Sequence, residues 1–148
     1  MWENRYANAE DDLFGEEPAK MLVENPWILD SAHTCLCVAD GEGRNSVWLA
    51  QQGLSVASFD LSPTAVDRAR KLAAKVGVDV QAQVCGWQDW DWSQTFDLVV
   101  AIFVQFAGPD DRVHQFEALR RSVRPGGRLV LHGYTPEQLE FGTGGPAN

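Results

Sequence analysis

The chain has 148 residues, 45% of them hydrophobic, which suits one compact domain with a real core and excludes a disordered chain. Twelve Lys and Arg stand against 21 Asp and Glu, a formal net charge of -9, so the average field repels a phosphate backbone and no nucleic-acid partner is expected. No apolar run approaches the roughly 18 residues of a membrane span, and the acidic opening lacks the apolar stretch of a signal peptide, so a cytoplasmic protein away from membranes is expected.

Residues 1–18 carry Trp2, Tyr6 and Phe14 among acids and read as an irregular arm. Ala19 to Glu24 fits a short helix that stops before Pro26. Thr34 to Ala39 is an apolar run of strand length, and in it Cys35 and Cys37 share one face as small buried hydrophobes. Three cysteines without a second nearby pair suit neither a disulfide framework nor a zinc site, and no metal is expected.

The turn Asp40-Gly41-Glu42-Gly43-Arg44-Asn45 leads into a helix over Ser46 to Gln52, ended by Gly53. Ser55 to Phe59 is a second strand, closed by Asp60. Ser62 can cap the next helix, and Pro63 suits its first position. Val66, Ala69, Leu72, Ala73 and Val76 then form one apolar stripe that Gly77 ends.

Val78 to Val84 alternates as a third strand. Phe96 to Phe103 is nearly all apolar, as in a central parallel strand buried on both faces. Asp110 or Asp111 can cap a helix bearing Val113, Phe116, Leu119 and Val123. Arg120, Arg121, Arg124 and Arg128 read as the solvated end of that helix and its turn, Pro125-Gly126-Gly127. Arg128 to His132 is a fifth strand, and residues 133–148 read as a loop-like tail with one helical turn at Thr135 to Leu139.

Alternating strands and helices predict a mostly parallel sheet of right-handed βαβ units, whose ligand crevice lies beyond the carboxyl ends of the strands. Two features fall there. Gly41 and Gly43 allow a tight turn and close approach of a ligand, with free amides at the following helix start. Asp60 can accept from both ribose hydroxyls of an adenosine cofactor. Each has a plain structural alternative: a turn that uses Gly for its geometry, and a cap for the Ser62-Pro63 helix.

The segment at 40–45 is similar to the Gly-rich first motif of class I S-adenosylmethionine-dependent methyltransferases. Asp60-Leu61-Ser62 resembles their acidic second motif, Phe96 to Val100 their fourth strand, and Arg124 to Leu129 the turn before their fifth. The opening Trp2 to Tyr6, the Gly41-to-Asn45 core and tails such as Gly133 to Leu139 resemble the tellurite-resistance-like and thiol-methyltransferase-like enzymes. The resemblance implies a Rossmann-like fold in one domain, S-adenosyl-L-methionine as cofactor, S-adenosyl-L-homocysteine as product and a small acceptor such as a thiol or a chalcogen oxyanion.

It also implies a cofactor-binding set. Ala39, Gly41, Gly43, Arg44 and Asn45 would form the methionine-binding turn; Asp60 would hold the ribose and Leu61 would flank the adenine. Gly86 and Trp87 would border the base, and Phe103 and Gln105 would face the sulfonium and the acceptor. No catalytic side chain is assigned.

The chain departs from the family pattern in places. The acid that usually ends strand one is Cys37, and a motif Gly is Ala39. The position that often pairs with the adenine amine is Gly86, with Asp89 near but offset; Gln105 replaces a His, and His132 the acid that commonly ends strand five. The C-terminal strand pair of the family fold is missing, which reads as a fragment, a naturally short form, or a homodimer covering an exposed strand-five edge. Two other functions therefore stand beside methyl transfer. One is a non-catalytic module of the same fold. The other is a nicotinamide-dependent oxidoreductase, against which Ser46 stands at the third fingerprint glycine and no Tyr-x-x-x-Lys pair is present.

Overall fold

The computed structural model describes Ala7 and residues 17–102 and 109–133. The expected N-terminal arm therefore lies almost wholly outside the described residues, as does the helical turn at Thr135 to Leu139. A short helix α1 (Lys20–Glu24) and a 3-10 turn (Pro26–Leu29) lead into β1 (Thr34–Val38). Then follow α2 (Arg44–Gln51), β2 (Ser55–Asp60), α3 (Pro63–Val76), β3 (Val80–Val84), β4 (Phe96–Ile102), α4 (Pro109–Ser122) and β5 (Val123–His132).

The five strands form one sheet in the order β3-β2-β1-β4-β5, and every pairing is parallel. The order reverses between β1 and β4, so the switch point falls at the C-terminal tip of β1. This is the Rossmann-like arrangement that the sequence predicts.

The two central strands are buried on both faces, and their alternation builds two cores. Leu36, Val38, Val99 and Ala101 point to one face, where they meet Phe59, Trp90, Phe96 and Leu119. Cys35, Cys37, Leu98 and Val100 point to the other, against Ile28, Leu49, Leu54 and Val56. Both cysteines are thus core residues, and the hydrogen bond between them, with burial, raises the Cys37 thiol well above its ordinary range.

Helix α3 starts and stops where its sequence says. The Ser62 hydroxyl accepts from the Ala65 N–H at 3.1 Å, Pro63 opens the helix, and Gly77 closes it in the left-handed conformation. Its stripe of Ala65, Val66, Ala69, Leu72 and Ala73 is buried.

Four boundaries differ from the sequence expectation by two residues or more. Helix α2 begins at Arg44 instead of Ser46, because left-handed Gly43 serves as its N-cap. Strand β3 begins at Val80, leaving Val78 to pack beside α3. Helix α4 begins at Pro109, so Asp110 and Asp111 lie in its first turn rather than before it. Val123 leaves that helix to pair with Phe96, and the ladder resumes at Leu98 with Arg128, so Pro125-Gly126-Gly127 is an irregularity inside β5.

Asp97, at the start of β4, ties the N-terminal ends of the strands together. Its Oδ2 accepts from the backbone N–H of His33 (2.7 Å) and Thr34 (3.0 Å), and its own N–H donates to Thr34 Oγ1 (2.9 Å). Arg124 reaches its Oδ1 at 2.5 Å. Those amides, with the nearby guanidinium, hold its carboxyl below the usual range.

Strand β5 is an edge among the described residues, with Leu129 and Leu131 partly open to solvent. No helix among the described residues is long and apolar enough to cross a membrane.

Candidate functional site

The switch point is built from three segments. The first is the turn after β1. Ala39 sits at φ 48°, Gly41 at 65° and Gly43 at 87°, so three residues in five take the left-handed conformation. Only glycine adopts it without strain, and Ala39 carries that strain with its Cβ. Gly43 is also demanded by packing, since a Cβ there would lie 2.6 Å from the Ala69 Cβ. Close packing of α3 therefore sets the shape of the turn. Glu42, buried within it, is pinned from the same helix by Arg68 at 2.8 Å.

The second segment is the tip of β2. Asp60 points at the turn: its Oδ2 accepts from the Gly41 N–H at 2.9 Å, and its Oδ1 from the Ser62 N–H at 3.0 Å. Leu61, the next residue, is 75% exposed, a large apolar side chain left standing at the mouth of the crevice.

The third segment is the loop after β3. The Cys85 N–H donates to the Asp60 carbonyl at 3.0 Å, which sets Gly86 beside Leu61; a Cβ on Gly86 would lie 3.5 Å from Leu61 Cδ1. Trp87 meets Phe59 edge-on (6.1 Å, 85°) and stacks on Trp92 (5.1 Å, 27°), while Trp90 stacks on Phe59 (4.8 Å, 21°). Three tryptophans from one loop thus wall the underside of the β2 tip and keep water from it.

The expected site residues separate into groups. Ala39, Gly41, Gly43, Asp60, Leu61, Gly86 and Trp87 converge on one place. Asn45, in the first turn of α2, accepts from the Ala19 N–H on its Oδ1 at 2.7 Å and anchors the segment before α1. Arg44 lies at the start of α2, near enough to Asp40 to oppose its protonation. Phe103 and Gln105 lie outside the described residues. His132 ends β5 in an open groove with Met21, Trp27 and Ile28, along the sheet edge.

One residue of the turn gained no role from the sequence. Asp40, half-buried in the loop, accepts from the Ser46 hydroxyl on its Oδ2 at 2.5 Å. Burial raises its pKa to about 7; the Asp60 carboxylate adds to the rise, and Ser46 and Arg44 oppose it. The signal was present as a third acid beside Glu42 and Asp60, but only folding places it under the turn. Two carboxyls so arranged favour a ligand that brings positive charge and disfavour a pyrophosphate.

Residues 35–127 match the family described as "Methyltransferase domain". An uncharacterised protein of Mycobacterium tuberculosis is 38% identical over 104 residues, 69% of this chain and 37% of that protein. The chain thus spans little more than a third of the length of the curated relatives it matches. A structure solved in work on the conversion of a disulfide bond into a thioacetal group during echinomycin biosynthesis superposes with a TM-score of 0.67 at 29% identity. That match covers 76% of this chain and 48% of the other. A TehB-like SAM-dependent methyltransferase from Corynebacterium glutamicum shares the fold with a TM-score of 0.64 at 24% identity, covering 95% of this chain and 75% of its own.

Proposed function

The chain belongs to the methyltransferase domain family, and from that membership we propose that it binds S-adenosyl-L-methionine at the tips of β1 and β2 and passes its methyl group to a small acceptor. One observation carries the reading: the Asp60 carboxylate at the tip of β2 is aimed at the Gly41 turn at the tip of β1, the place from which a carboxylate can accept from both ribose hydroxyls. When bound, the cofactor supplies a sulfonium-activated methyl group.

The chain's own residues have simple tasks in such a transfer. Gly41 and Gly43 let the backbone lie close against the ligand. Leu61 offers an apolar seat for the base, and the Trp87, Trp90 and Trp92 wall excludes water from the β2 tip. Asp40 and Asp60 give the turn the sign that suits a cation, and the same sign speaks against a nicotinamide dinucleotide. Displacement at an activated methyl needs alignment and dryness more than acid–base chemistry.

The finer reading is a tellurite-resistance-like or thiol-methyltransferase-like enzyme with a sulfur or chalcogen acceptor. Its support is the Gly41-Glu42-Gly43-Arg44-Asn45 core, the TehB-like structure and the sulfur chemistry that gave the echinomycin structure its context. Calorimetric titration with S-adenosylhomocysteine tests the cofactor, with saturable one-to-one binding expected. Absence of binding across pH 6 to 9 would end the proposal. Methyl transfer to small thiols and to tellurite or selenite, followed by mass spectrometry, then tests the acceptor. Binding without transfer to any of these would favour the non-catalytic module.

A further inference from the structure

We infer that the charge on Asp40 sets how strongly the turn after β1 prefers the cationic cofactor to its thioether by-product, and that Ser46 accommodates both charge states by redirecting one hydroxyl proton; this rests on the cofactor assignment above. The geometry is a hydroxyl between two acceptors. Ser46 Oγ lies 2.5 Å from Asp40 Oδ2 and 3.3 Å from the Gly43 carbonyl oxygen, and it has a single proton to give. With Asp40 ionised, Ser46 donates to the carboxylate. With Asp40 protonated, the carboxyl donates to Ser46 Oγ and the hydroxyl turns to Gly43. Each arrangement leaves every proton of the pair bonded, so the same heavy-atom positions serve either charge state.

The backbone around the pair is held from two sides. The Asp40 N–H donates to the Phe59 carbonyl of β2 at 3.1 Å, and the Asp40 carbonyl accepts from the Gly43 N–H at 3.4 Å. The Gly43 carbonyl accepts from the Val47 N–H at 2.9 Å, so a hydroxyl swung toward it meets an oxygen already fixed by α2. Asp60 grips the next peptide from β2 through the Gly41 N–H. The charge on Asp40 can therefore change while the turn keeps its shape.

The groups facing Asp40 pull its ionisation both ways. Burial and the Asp60 carboxylate of β2 favour the neutral form; the Ser46 hydroxyl and amide and the Arg44 guanidinium of α2 favour the ionised one, and the balance falls at about 7. Cys37 of β1 is held as a neutral thiol, and Glu42 of the same turn is paired with Arg68 of α3. Below the balance point the turn carries the Asp60 charge without that of Asp40; above it, both. A sulfonium brings one positive charge that a thioether lacks, so the second carboxylate favours the cofactor over its by-product. By reciprocity, binding of the cation releases the Asp40 proton to solvent.

Calorimetric titrations with S-adenosylmethionine and S-adenosylhomocysteine from pH 6 to 8, without an acceptor, test this. In wild type the ratio of their affinities should move toward the cofactor by about fivefold across that range. D40N keeps an acceptor for Ser46 but cannot ionise; its ratio reports the titration of the ligands themselves and should lack that rise. S46A removes a donor that favours the carboxylate, so the rise should persist but move to higher pH. D67N, which removes an exposed charge on α3, should match wild type. An equal rise in D40N, an S46A profile that coincides with wild type, loss of the rise in D67N, or a flat ratio in wild type would overturn the role of Asp40 while leaving cofactor binding intact. If wild type bound neither ligand, the cofactor assignment would fall first and this role with it.

Discussion

The two ends of the sheet treat their carboxylates in opposite ways. At the N-terminal end, Asp97 is surrounded by donors from His33, Thr34 and Arg124 and is held below its ordinary value of 3.8. At the C-terminal end, Asp40 lies close to Asp60, and burial lifts it from 3.8 to about 7. A fold places a well-satisfied anion where it needs a fastener. An uneasy pair of acids at the strand tips instead marks a place shaped for something that is not the protein. The same contrast separates Asp97, bonded to the start of β1, from Asp60, whose carboxylate bonds the Gly41 turn at the mouth of the crevice.

The largest effect should come from breaking the fastener. Asp97→Ala leaves two backbone amides and Arg124 without their shared partner, and should lower Tm by on the order of 10 °C in a thermal melt. Asp60→Ala should act on the ligand instead, weakening S-adenosylhomocysteine by about a hundredfold in calorimetry while Tm falls less than in Asp97→Ala. Equal losses of stability in the two variants would erase the distinction between the ends.

The pH dependences should also have opposite signs. Asp97 is lowered on folding, so its contribution is present above its ordinary 3.8 and is lost as pH falls through the folded value. Asp40 is raised, so its contribution is complete below 3.8 and is lost as pH rises through about 7. Denaturation midpoints followed from pH 5 to 8 should therefore decline more steeply in wild type than in Asp40→Asn, whose amide can still accept from Ser46. Parallel profiles would show that Asp40 does not titrate in that window. The smallest effect concerns the strained turn: Ala39→Gly relieves a positive φ and should raise stability by up to about 1 kcal/mol, net of the entropy that glycine adds to the unfolded chain.

Much of this was legible in the sequence because it depends on local patterning. The Ser62-Pro63 start, the Gly77 stop and the all-apolar run from Leu98 to Ile102 each follow from short-range chemistry, and the parallel pairing of the sheet from the alternation of elements. Gly41, Gly43 and Asp60 were legible as a group because their spacing puts them at adjacent strand tips. What the sequence hid depends on contacts across the fold. The bond from the Ala19 N–H to Asn45 joins positions 26 residues apart, which no local pattern announces. Asp40 looks like a turn residue until Ser46 and Asp60 are found beside it. The start of β5 was missed because Val123 continues the helical stripe in sequence while pairing with Phe96 in space.

The most direct measurement is a crystal structure of the chain with S-adenosylhomocysteine. Both ribose hydroxyls should lie within hydrogen-bond distance of the Asp60 carboxylate, with the base on Leu61. A nucleoside bound elsewhere, or a complex in which the Asp60 carboxylate touches neither ribose hydroxyl, would contradict the assignment of the strand tips as the cofactor site.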